Sequence, residues 1–366
     1  MKVGFLNPIN RTTGPGNYGY HIVKELIDLN VDVVPITFGN YNNMFDNIEN
    51  IQIPIPTSNR YIAMMIYPII SNKYLKNNDF DILHSSGTYY LGPDVLTLHE
   101  VHKGMIKSRD YWRIKRYLPW ESSILYYERR NLNDPDIKKI KCLSIGEKNE
   151  IIKYYNVNEE KIAVIPNGVD LNEFRPDSHK RAEIREELGF DNDEMILMFS
   201  ANEYKRKGLD YIIKSLPDIP NNIKLLVVGK DNPLPYKKLA SSLGVTSRVV
   251  FSGFVPDIKS YYLASDVFIF PTSYEAFSLA TLEAISCGLP ILATKVNGTE
   301  ELIQDWYNGF FIKREKKDIA DKINIINQDE NLMRSMSLNA RKTAKNYSWK
   351  NAAEKTLKLY KDILNI

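Results

Sequence analysis

The fold class of this chain can be inferred from the segment FIFPTSYEAFSLATLEAISCGLPILATKVNGTEELI, residues 268–303. The apolar run Val267–Phe270 predicts a strand, which Pro271 ends because proline cannot donate to a sheet ladder. After a polar loop, apolar residues at helical spacing predict a helix that Gly288 terminates. A second apolar run, 290–294, predicts another strand. This order is typical of a βαβ unit, whose working loop lies at the carboxyl end of the first strand of a parallel sheet.

Two glutamates flank the start of the predicted helix: Glu275 in an exposed loop before it and Glu283 inside it. Between them lie the first amides of the helix, whose unpaired N–H groups favour a phosphate. These amides belong to Ser278, Leu279, Ala280 and Thr281. A carboxylate at each end of an anion site suits a nucleotide sugar, which carries a diphosphate between two hydroxyl-rich groups.

The string E-x7-E, followed by EAxxCGxP and G-x-x-E-L-I, resembles the donor-site signature of the family 4, GT-B glycosyltransferases. The alternative is that both glutamates are helix-flank charges in water. The resemblance implies an α/β fold with two Rossmann-like domains, whose parallel sheets face a central cleft. It also implies transfer of a hexose-type sugar, with retention at the anomeric carbon, from a nucleotide sugar to a glycan or lipid-linked acceptor.

Composition agrees with a two-domain globular protein. The chain has 366 residues, of which 43% are hydrophobic and 25% charged, and its net charge of +3 is too small to indicate nucleic-acid binding. Its two cysteines, Cys142 and Cys287, lie far apart, which predicts neither a disulfide nor a zinc site and suggests a cytoplasmic protein. The most apolar window, 61–70, contains Pro68 and is too short to span a membrane.

A hinge element divides the chain. Pro166-Asn-Gly-Val-Asp170 resembles the P-N-G-V-D hinge of the family and predicts a boundary near Arg175. The expected parts are an acceptor-side domain, a nucleotide-sugar domain and a terminal helix that crosses back to the first domain, at 1–175, 176–345 and 346–366. Among the predicted strands are 81–84, 95–98, 142–145, 195–200, 223–229 and 249–251.

The first domain contains a glycine string, Gly14-Pro-Gly16-Asn-Tyr-Gly19, that matches the dinucleotide pattern G-x-G-x-x-G. Six residues, 8–13, separate it from the preceding strand, so the context does not fit a redox dinucleotide site. We read the string as a loop before a helix at about 18–29. The resemblance places Gly16 opposite the donor phosphates.

Two predicted strands of the first half end at His84 and His99. They resemble the paired D-x-x-H and T-x-H elements of family 4, although Glu100 stands where the family usually has Asp. The resemblance places His99 near the reacting sugar as a catalytic residue. His84 and His102 are predicted to be structural or surface residues.

Residues 103–120, from Lys103 to Trp120, hold six Lys or Arg and one Asp among several aromatic and aliphatic residues. Such a segment suits an anionic membrane surface, which would make the enzyme peripheral on the membrane, or a soluble anionic acceptor. The alternative is a loop and helix whose charges face water.

The loop Ala201-Asn-Glu-Tyr-Lys-Arg-Lys207-Gly208 resembles the family pattern G-R-L-x-x-x-K-G. Lys207 matches, but Asn202 stands in place of the arginine, and Arg206 is the nearest candidate to replace it. With the helix amides, these cations would stabilise the departing diphosphate.

The remaining donor contacts are also implied by the resemblance. Glu275 would hold the sugar hydroxyls and act with Lys207 in catalysis, and Glu283 would hold the ribose. Phe254 and Val255, just after a predicted strand, would contact the nucleobase through backbone groups.

We expect neither a metal ion nor another cofactor. Three D-x-D strings, at 79–81, 134–136 and 191–193, match the motif of metal-dependent transferases, but none follows a strand that faces the cleft. Two other functions stay open. One is a nucleotide-sugar 2-epimerase of the same fold, although no acid/base set for C2 deprotonation is found. The other is a non-catalytic protein that binds a sugar nucleotide.

Overall fold

The segment that opens with Val267 folds as strand, loop, helix and strand, as predicted. In the computed structural model, strands cover Val267–Phe270 and Ile291–Ala293, and a helix covers Leu279–Ser286 between them. The two strands pair in parallel, so the segment is a βαβ unit. The structure describes residues 1–7, 9–10, 13–38, 45, 48–108 and 117–366, with Arg60 described by its backbone alone.

The described residues group into two units by their contacts. Met1–Gly168 and Trp349–Ile366 form the first unit, and Val169–Ser348 forms the second. The first boundary between the units lies after Gly168, earlier than the position near Arg175 that the sequence predicted. The reason is that Val169 N–H donates to Tyr347 O, which joins the chain beyond Gly168 to the second unit.

The first unit is built on a sheet of seven parallel strands among the described residues, in the order β3-β2-β1-β4-β5-β6-β7. The strands are β1 Lys2–Leu6, β2 Asp32–Phe38, β3 Ile51–Ile53, β4 Ile82–Ser86, β5 Val95–Thr97, β6 Lys139–Cys142 and β7 Ile162–Val164. The helices are α1 Gly14–Asp28, α2 Arg60–Leu75, α3 His102–Lys107, α4 Pro119–Leu132 and α5 Ile145–Tyr155. A last helix, given below, completes this unit.

The second unit is built on six parallel strands of the described chain, in the order β10-β9-β8-β11-β12-β13. These are β8 Met195–Ser200, β9 Ile223–Val228, β10 Val249–Gly253, β11 Val267–Phe270, β12 Ile291–Ala293 and β13 Gly309–Phe311. The helices are α6 Ser178–Glu187, α7 Tyr204–Lys207, α8 Leu209–Ser215, α9 Leu234–Ser242, α10 Ile258–Ala264, α11 Leu279–Ser286, α12 Thr299–Leu302, α13 Lys316–Gln328 and α14 Glu330–Ala344.

The final helix, α15 Trp349–Leu364, packs in the first unit. The ring of Trp349 stacks on His21 of α1 at 4.8 Å between centroids. Further along, the hydroxyl of Tyr360 lies 2.5 Å from His84 Nδ1. The last helix therefore completes the packing of the first unit.

The predicted start of the first helix is wrong. The helix begins at Gly14, not near residue 18, so the glycine string forms its first turns rather than a loop. Thr13 is the reason: its side chain accepts the N–H of Gly16 at 3.2 Å, and Pro15 already has a helical φ.

Two strand ends also differ from the prediction. The strand predicted at 142–145 lies at Lys139–Cys142, because Ser144 caps α5 by accepting Glu147 N–H at 3.0 Å. His84 does not end its strand, since β4 continues to Ser86 and buries the imidazole in the sheet.

Within the described part of the chain, no helix has both the length and the apolar content needed to span a bilayer.

Candidate active site

Three loops meet at the carboxyl ends of β8, β11 and β12, and glycines allow the close approach. Gly208 has a φ of +82°, and a Cβ placed on it would lie 2.3 Å from Pro271 O. Gly298 has a φ of +76°, and its Cβ would lie 2.6 Å from Phe277 Cα. A larger residue at either position would force the loops apart. The sheet edge is therefore a tightly packed platform.

Glu275 lies at the centre of this platform. Its carboxylate pairs with Lys207 Nζ, accepts the Thr272 hydroxyl at 3.2 Å, and lies 3.8 Å from Arg206 Nη1. The expectation of an exposed carboxylate is wrong, because 11% of the side chain is exposed. Its charge is neutralised by a partner brought from another loop.

Lys207 is mostly buried as well. Besides its ion pair with Glu275, its ammonium lies 4.9 Å from the ring centroid of Phe270. A cation in this environment is poorly solvated, so an anionic ligand at the platform would attract it strongly.

Arg206 is held beside the same carboxylate by Glu203. Its Nε donates to Glu203 Oε2 at 2.9 Å and its Nη2 to Oε1 at 3.2 Å. Its Nη1 donates to Tyr274 O at 2.8 Å. These contacts bring Arg206 and Lys207 to one carboxylate and orient the guanidinium.

Asn202, which stands in place of the family's arginine, bonds to the backbone of a neighbouring loop. Its side-chain oxygen accepts the N–H of Lys230 at 2.8 Å, which joins the loops after β8 and β9.

Arg314, which sequence reasoning missed, supports the turn that carries both cations. Its Nη1 and Nη2 donate to the carbonyls of Arg206 and Lys205, each at 3.3 Å, and its guanidinium lies 4.9 Å from the Tyr211 ring centroid. The sequence did contain a signal for it: Arg314 follows the end of β13 closely, and the carboxyl ends of parallel strands lie at the same sheet edge.

The amino end of α11 lies beside the platform. Ser278 caps the helix by accepting Thr281 N–H at 3.2 Å. The first intrahelical bond is made by Leu282 N–H to Ser278 O. The amides of Leu279 and Ala280 therefore precede the helical ladder, where anion ligands bind.

Glu283, one turn into α11, is paired with a tyrosine. Tyr262 Oη donates to Glu283 Oε2 at 3.0 Å. Burial raises the pKa of the Glu283 carboxyl to about 7, and the charge of Glu173 acts in the same direction. At neutral pH this carboxyl can both donate and accept a hydrogen bond.

Two further predicted donor residues follow β10. Phe254 is exposed and Val255 is half-buried, just beyond Gly253, whose carbonyl accepts Gly229 N–H at 2.8 Å. Both lie at the carboxyl end of a strand of the second sheet. Gly16, by contrast, is in α1 of the first unit.

His99, also in the first unit, follows β5 and is held by a hydrogen-bond chain. Its Nε2 lies 2.6 Å from Ser86 Oγ, which in turn accepts Asn7 Nδ2 at 2.5 Å. Burial, together with the charge of Lys141, lowers the pKa of His99 to about 3. The imidazole is therefore neutral, and Ser86 orients it.

His84 and His102 have structural contacts. His84 is buried between Tyr360 and Thr97 Oγ1, and His102 Nε2 lies 2.6 Å from Glu121 Oε2. In the basic segment 103–120, residues 109–116 lie outside the described residues. Of the rest, Lys103 and Lys107 place their ammonium groups 5.6 and 4.5 Å from the Tyr154 ring centroid. Lys153 lies 5.5 Å from the same ring.

Across the described ranges, no group of three or more His, Cys, Asp or Glu side chains is arranged to hold a metal ion. Carboxylates of two D-x-D strings bond to nearby backbone: Asp81 to Lys2 N–H at 2.7 Å and Asp134 to Asp136 N–H at 3.0 Å.

Two family models match the chain, one in each half. Residues 12–173 match Glycosyltransferase Family 4, and residues 180–343 match Glycosyl transferases group 1.

Curated relatives match over different lengths. An uncharacterized glycosyltransferase of Methanocaldococcus jannaschii is 32% identical over 58% of this chain and 57% of its own. The matched part thus spans little more than half of that relative, and about half of several others. UDP-Gal:alpha-D-GlcNAc-diphosphoundecaprenol alpha-1,3-galactosyltransferase of Escherichia coli is 28% identical over 85% of this chain and 83% of its own.

Among solved structures, WaaG, a glycosyltransferase involved in lipopolysaccharide biosynthesis, has a TM-score of 0.85 at 22% identity and covers 99% of both chains. This likeness confirms the predicted GT-B fold class.

Proposed function

This chain belongs to the family 4-like GT-B glycosyltransferases, and we propose that it transfers a hexose-type sugar from a nucleotide-diphosphate sugar to a glycan or lipid-linked acceptor with retention. The observation that carries the proposal is the cluster of Lys207, Arg206 and Glu275 beside the amino end of α11. It combines two cations and free helix amides, which suit a diphosphate, with a carboxylate that suits sugar hydroxyls.

Donor binding exchanges partners within this cluster. The diphosphate takes the ammonium of Lys207, and Glu275, released from that pair, accepts hydrogen bonds from the sugar. Leu279 and Ala280 N–H groups donate to the phosphate oxygens, and Glu283 binds the ribose. Backbone groups at Phe254 and Val255 contact the nucleobase. The carboxylate that Lys207 loses is replaced by negatively charged phosphate oxygens, so the mostly buried ammonium stays neutralised.

Transfer breaks the bond between the anomeric carbon and the diphosphate oxygen, and forms a bond from that carbon to an acceptor oxygen. The acceptor proton leaves with the diphosphate. Lys207 and Arg206 stabilise the charge that develops on the leaving group, which lets the reaction proceed without a divalent cation. We assign neutral His99 a hydrogen bond to the reacting sugar and place Gly16 opposite the donor phosphates.

Arg206→Ala should weaken nucleotide-sugar binding about 10- to 150-fold, since a hydrogen bond to a charged group contributes about 1.5–3 kcal/mol. The reason is that Glu203 already holds this guanidinium beside Glu275, so Arg206 supplies the cation absent at Asn202. Isothermal titration measures the change. Lys205→Ala removes an exposed charge from the same turn and serves as the control. Equal affinities for the two variants would contradict the role of Arg206.

The acceptor side of the proposal concerns residues 103–120. The ammonium groups of Lys103, Lys107 and Lys153 surround the ring of Tyr154 and concentrate positive charge beside this segment. This charge favours contact with an anionic membrane, where each basic residue contributes about 1 kcal/mol to binding. We propose a cytoplasmic enzyme that attaches there peripherally.

A donor panel tests the proposed function. UDP-, GDP- and ADP-hexoses are compared by thermal shift, because a ligand at 100 times its Kd adds about 2.7 kcal/mol of stability. UDP-galactose comes first, since the relative from Escherichia coli is named for it. Proton NMR of the product then reports the anomeric configuration, and added EDTA tests for metal. No stabilisation by any nucleotide sugar would refute the assignment.

A further inference from the structure

Gly19, the last glycine of the string in α1, leaves room for a side chain of the first sheet. A Cβ placed on Gly19 would lie 2.6 Å from Asn7 Cγ, so the Asn7 amide packs directly against the helix backbone. Asn7 is fully buried, and its N–H donates to Ile36 O at 3.0 Å just after the end of β1. A side chain at position 19 would therefore displace the Asn7 amide.

Asn7 lies where the strand order of the first sheet reverses. Strands β2 and β3 lie on one side of β1, and β4 to β7 lie on the other. Ligands of open parallel sheets bind beyond the carboxyl ends of the strands at such a point. The register pairs Leu6 with Ser85, so Asn7 comes beside Ser86, and His99 follows the next strand, β5.

Asn7, Ser86 and His99 form a hydrogen-bond relay at this edge. Asn7 Nδ2 donates to Ser86 Oγ at 2.5 Å, and His99 Nε2 lies 2.6 Å from the same oxygen. Ser86 is fully buried, and its hydroxyl has no other partner among the described residues. Because a buried hydroxyl proton without an acceptor is costly, it is donated to Nε2. The neutral imidazole then carries its own proton on Nδ1.

Tyr18 of α1 holds the same imidazole from a second side. Its ring meets the ring of His99 edge to face, at 72° and 4.8 Å between centroids. Lys141 donates to the Tyr18 hydroxyl at 2.8 Å, which fixes Tyr18 in the core. A half-turn of the imidazole would place a ring carbon at Ser86 and lose the bond to Nε2. The relay and Tyr18 therefore favour one orientation of the ring.

The second ring nitrogen of His99 is available to a ligand. Nδ1 makes no hydrogen bond within the part of the chain that the structure describes, and the side chain is half-buried rather than enclosed. With its proton on Nδ1, the imidazole offers an N–H donor, which suits a hydroxyl oxygen. The opposite tautomer would offer a lone pair at this position and repel that oxygen.

We propose that Asn7 and Ser86 are positioning residues for sugar transfer. They hold His99 in the tautomer with its proton on Nδ1, and so present an N–H donor to a hydroxyl oxygen of the reacting sugar. Gly19 permits the relay, because Asn7 occupies the space that a side chain there would take. This inference rests on the proposed function, which supplies the sugar.

Two substitutions in neighbouring residues of β4 test the hydroxyl. Ser86→Ala removes the group that contacts His99. Ser85→Ala removes an equally buried hydroxyl one residue away, which donates to Gly87 O at 2.8 Å instead, and is the matched control. Both variants lose one buried hydrogen bond, so a difference between them reports on the relay.

Two further substitutions in α1 test the space behind the relay. Gly19→Ala places a methyl group against the Asn7 amide. Gly14→Ala, in the same helix, meets nothing within 4 Å and is the matched control. Each adds the same methyl group to a helical glycine, and the variants differ in whether it reaches Asn7.

Long-range proton–nitrogen NMR of the chain labelled with ¹⁵N-histidine identifies which ring nitrogen of His99 carries the proton. The chain has five histidines, and His99→Gln assigns the signals by removing them. kcat and KM with the preferred donor are measured in parallel, together with the affinity for the nucleotide alone. A merely structural loss would not change the tautomer.

We expect wild type, Ser85→Ala and Gly14→Ala to carry the His99 proton on Nδ1 at pH 7. Ser86→Ala should populate the Nε2–H tautomer and lower kcat about 10- to 100-fold, with KM within about threefold of wild type, because the imidazole is misplaced in the transition state. Gly19→Ala should change both quantities in the same direction. Nucleotide affinity should stay unchanged in all four variants.

A proton on Nε2 of wild-type His99 would overturn the proposal, and so would Ser86→Ala with the tautomer and kcat of Ser85→Ala. Equal results for Gly19→Ala and its control would exclude Gly19 and Asn7 from the relay. A wild type that holds the Nδ1–H tautomer but neither binds a nucleotide sugar nor transfers its sugar would instead refute the proposed function and leave the hydrogen-bond relay standing.

Discussion

Glu275→Ala is expected to abolish sugar transfer while the chain stays folded. The carboxylate is the partner of Lys207 and accepts from Thr272, so its loss removes the group assigned to the sugar hydroxyls and the partner that positions the cation assigned to the diphosphate. A misplaced substrate alone costs about 100-fold in rate. Turnover with the preferred donor measures the loss, and circular dichroism checks the fold. Normal turnover by folded Glu275→Ala would contradict the site.

The same substitution should also destabilise the second unit. Lys207 would stay mostly buried after losing its carboxylate partner, and removal of one partner of a buried ion pair costs about 3 kcal/mol. Adding Lys207→Met to Glu275→Ala should recover most of that stability and none of the activity. Glu275→Gln, which keeps the shape and the contact with Thr272, is the matched control for packing. Recovery of activity by the double variant would exclude a catalytic role for the pair.

Lys141→Met is expected to stabilise the first unit by about 3 kcal/mol at pH 7. Lys141 is fully buried in β6, and its ammonium contacts the hydroxyl of Tyr18 at 2.8 Å and the same ring at 4.5 Å from the centroid. Burial lowers the pKa of Lys141 to about 7. Each tenfold loss of proton affinity on folding costs about 1.4 kcal/mol of stability. Methionine fills a similar volume without that cost, and loses about 1 kcal/mol of hydrogen bonding to Tyr18.

The pH dependence follows from the direction in which folding moves each pKa. Between the folded pKa near 7 and the unfolded value near 10.5, the unfolded state binds the proton of Lys141 and the folded state does not, so the stability rises with pH. His102 acts in the opposite direction. Burial lowers its pKa, but Glu100, Glu121 and Glu128 raise it to about 9. The stabilisation that protonated His102 contributes to the folded state is complete below pH 6.5 and is lost as the pH rises through 9.

Between about pH 7 and 9 the two contributions to stability have opposite slopes, so each substitution should change the wild-type slope in its own direction. Lys141→Met should lose stability with rising pH, and His102→Gln should gain it. Hydrogen exchange of peptides from β1 and β5, corrected for the intrinsic rate, follows the first unit separately. The same slope in both variants would refute the buried charge states.

Features of the structure that depend on neighbouring residues could be predicted from the sequence, and features that depend on distant residues could not. Strands β8 and β11 and helix α11 followed from apolar spacing and from the breakers Pro271 and Gly288. Such signals act within a few residues, and parallel strands then bring their carboxyl ends to one edge. The site was predictable to that extent: a loop with Glu275 beside a helix amino end.

Local signals that compete were misjudged. The glycine string suggested a loop, but Thr13 and Pro15 begin a helix there. The capping hydrogen bond of Thr13 and the fixed φ of Pro15 outweigh the unfavourable helix propensity of glycine. No helix was predicted from the sequence around Pro68, yet α2 continues through this proline. Packing of Leu75 and the bonds of Asn72 hold that helix in place, and the sequence does not contain those contacts.

The βαβ segment, the two-part α/β class and the residue types at the sheet edge could be predicted from the chain alone, because periodicity and chain breakers act locally. Charge partners and exposure depend instead on packing between distant parts of the chain. The pairing of Lys207 with Glu275, the contact of Arg206 with Tyr274 and the support from Arg314 join loops that follow different strands. Likewise, Lys141 is buried and Ile69 exposed against the preference of each residue type, since neighbours from distant parts of the chain set the solvent around every side chain.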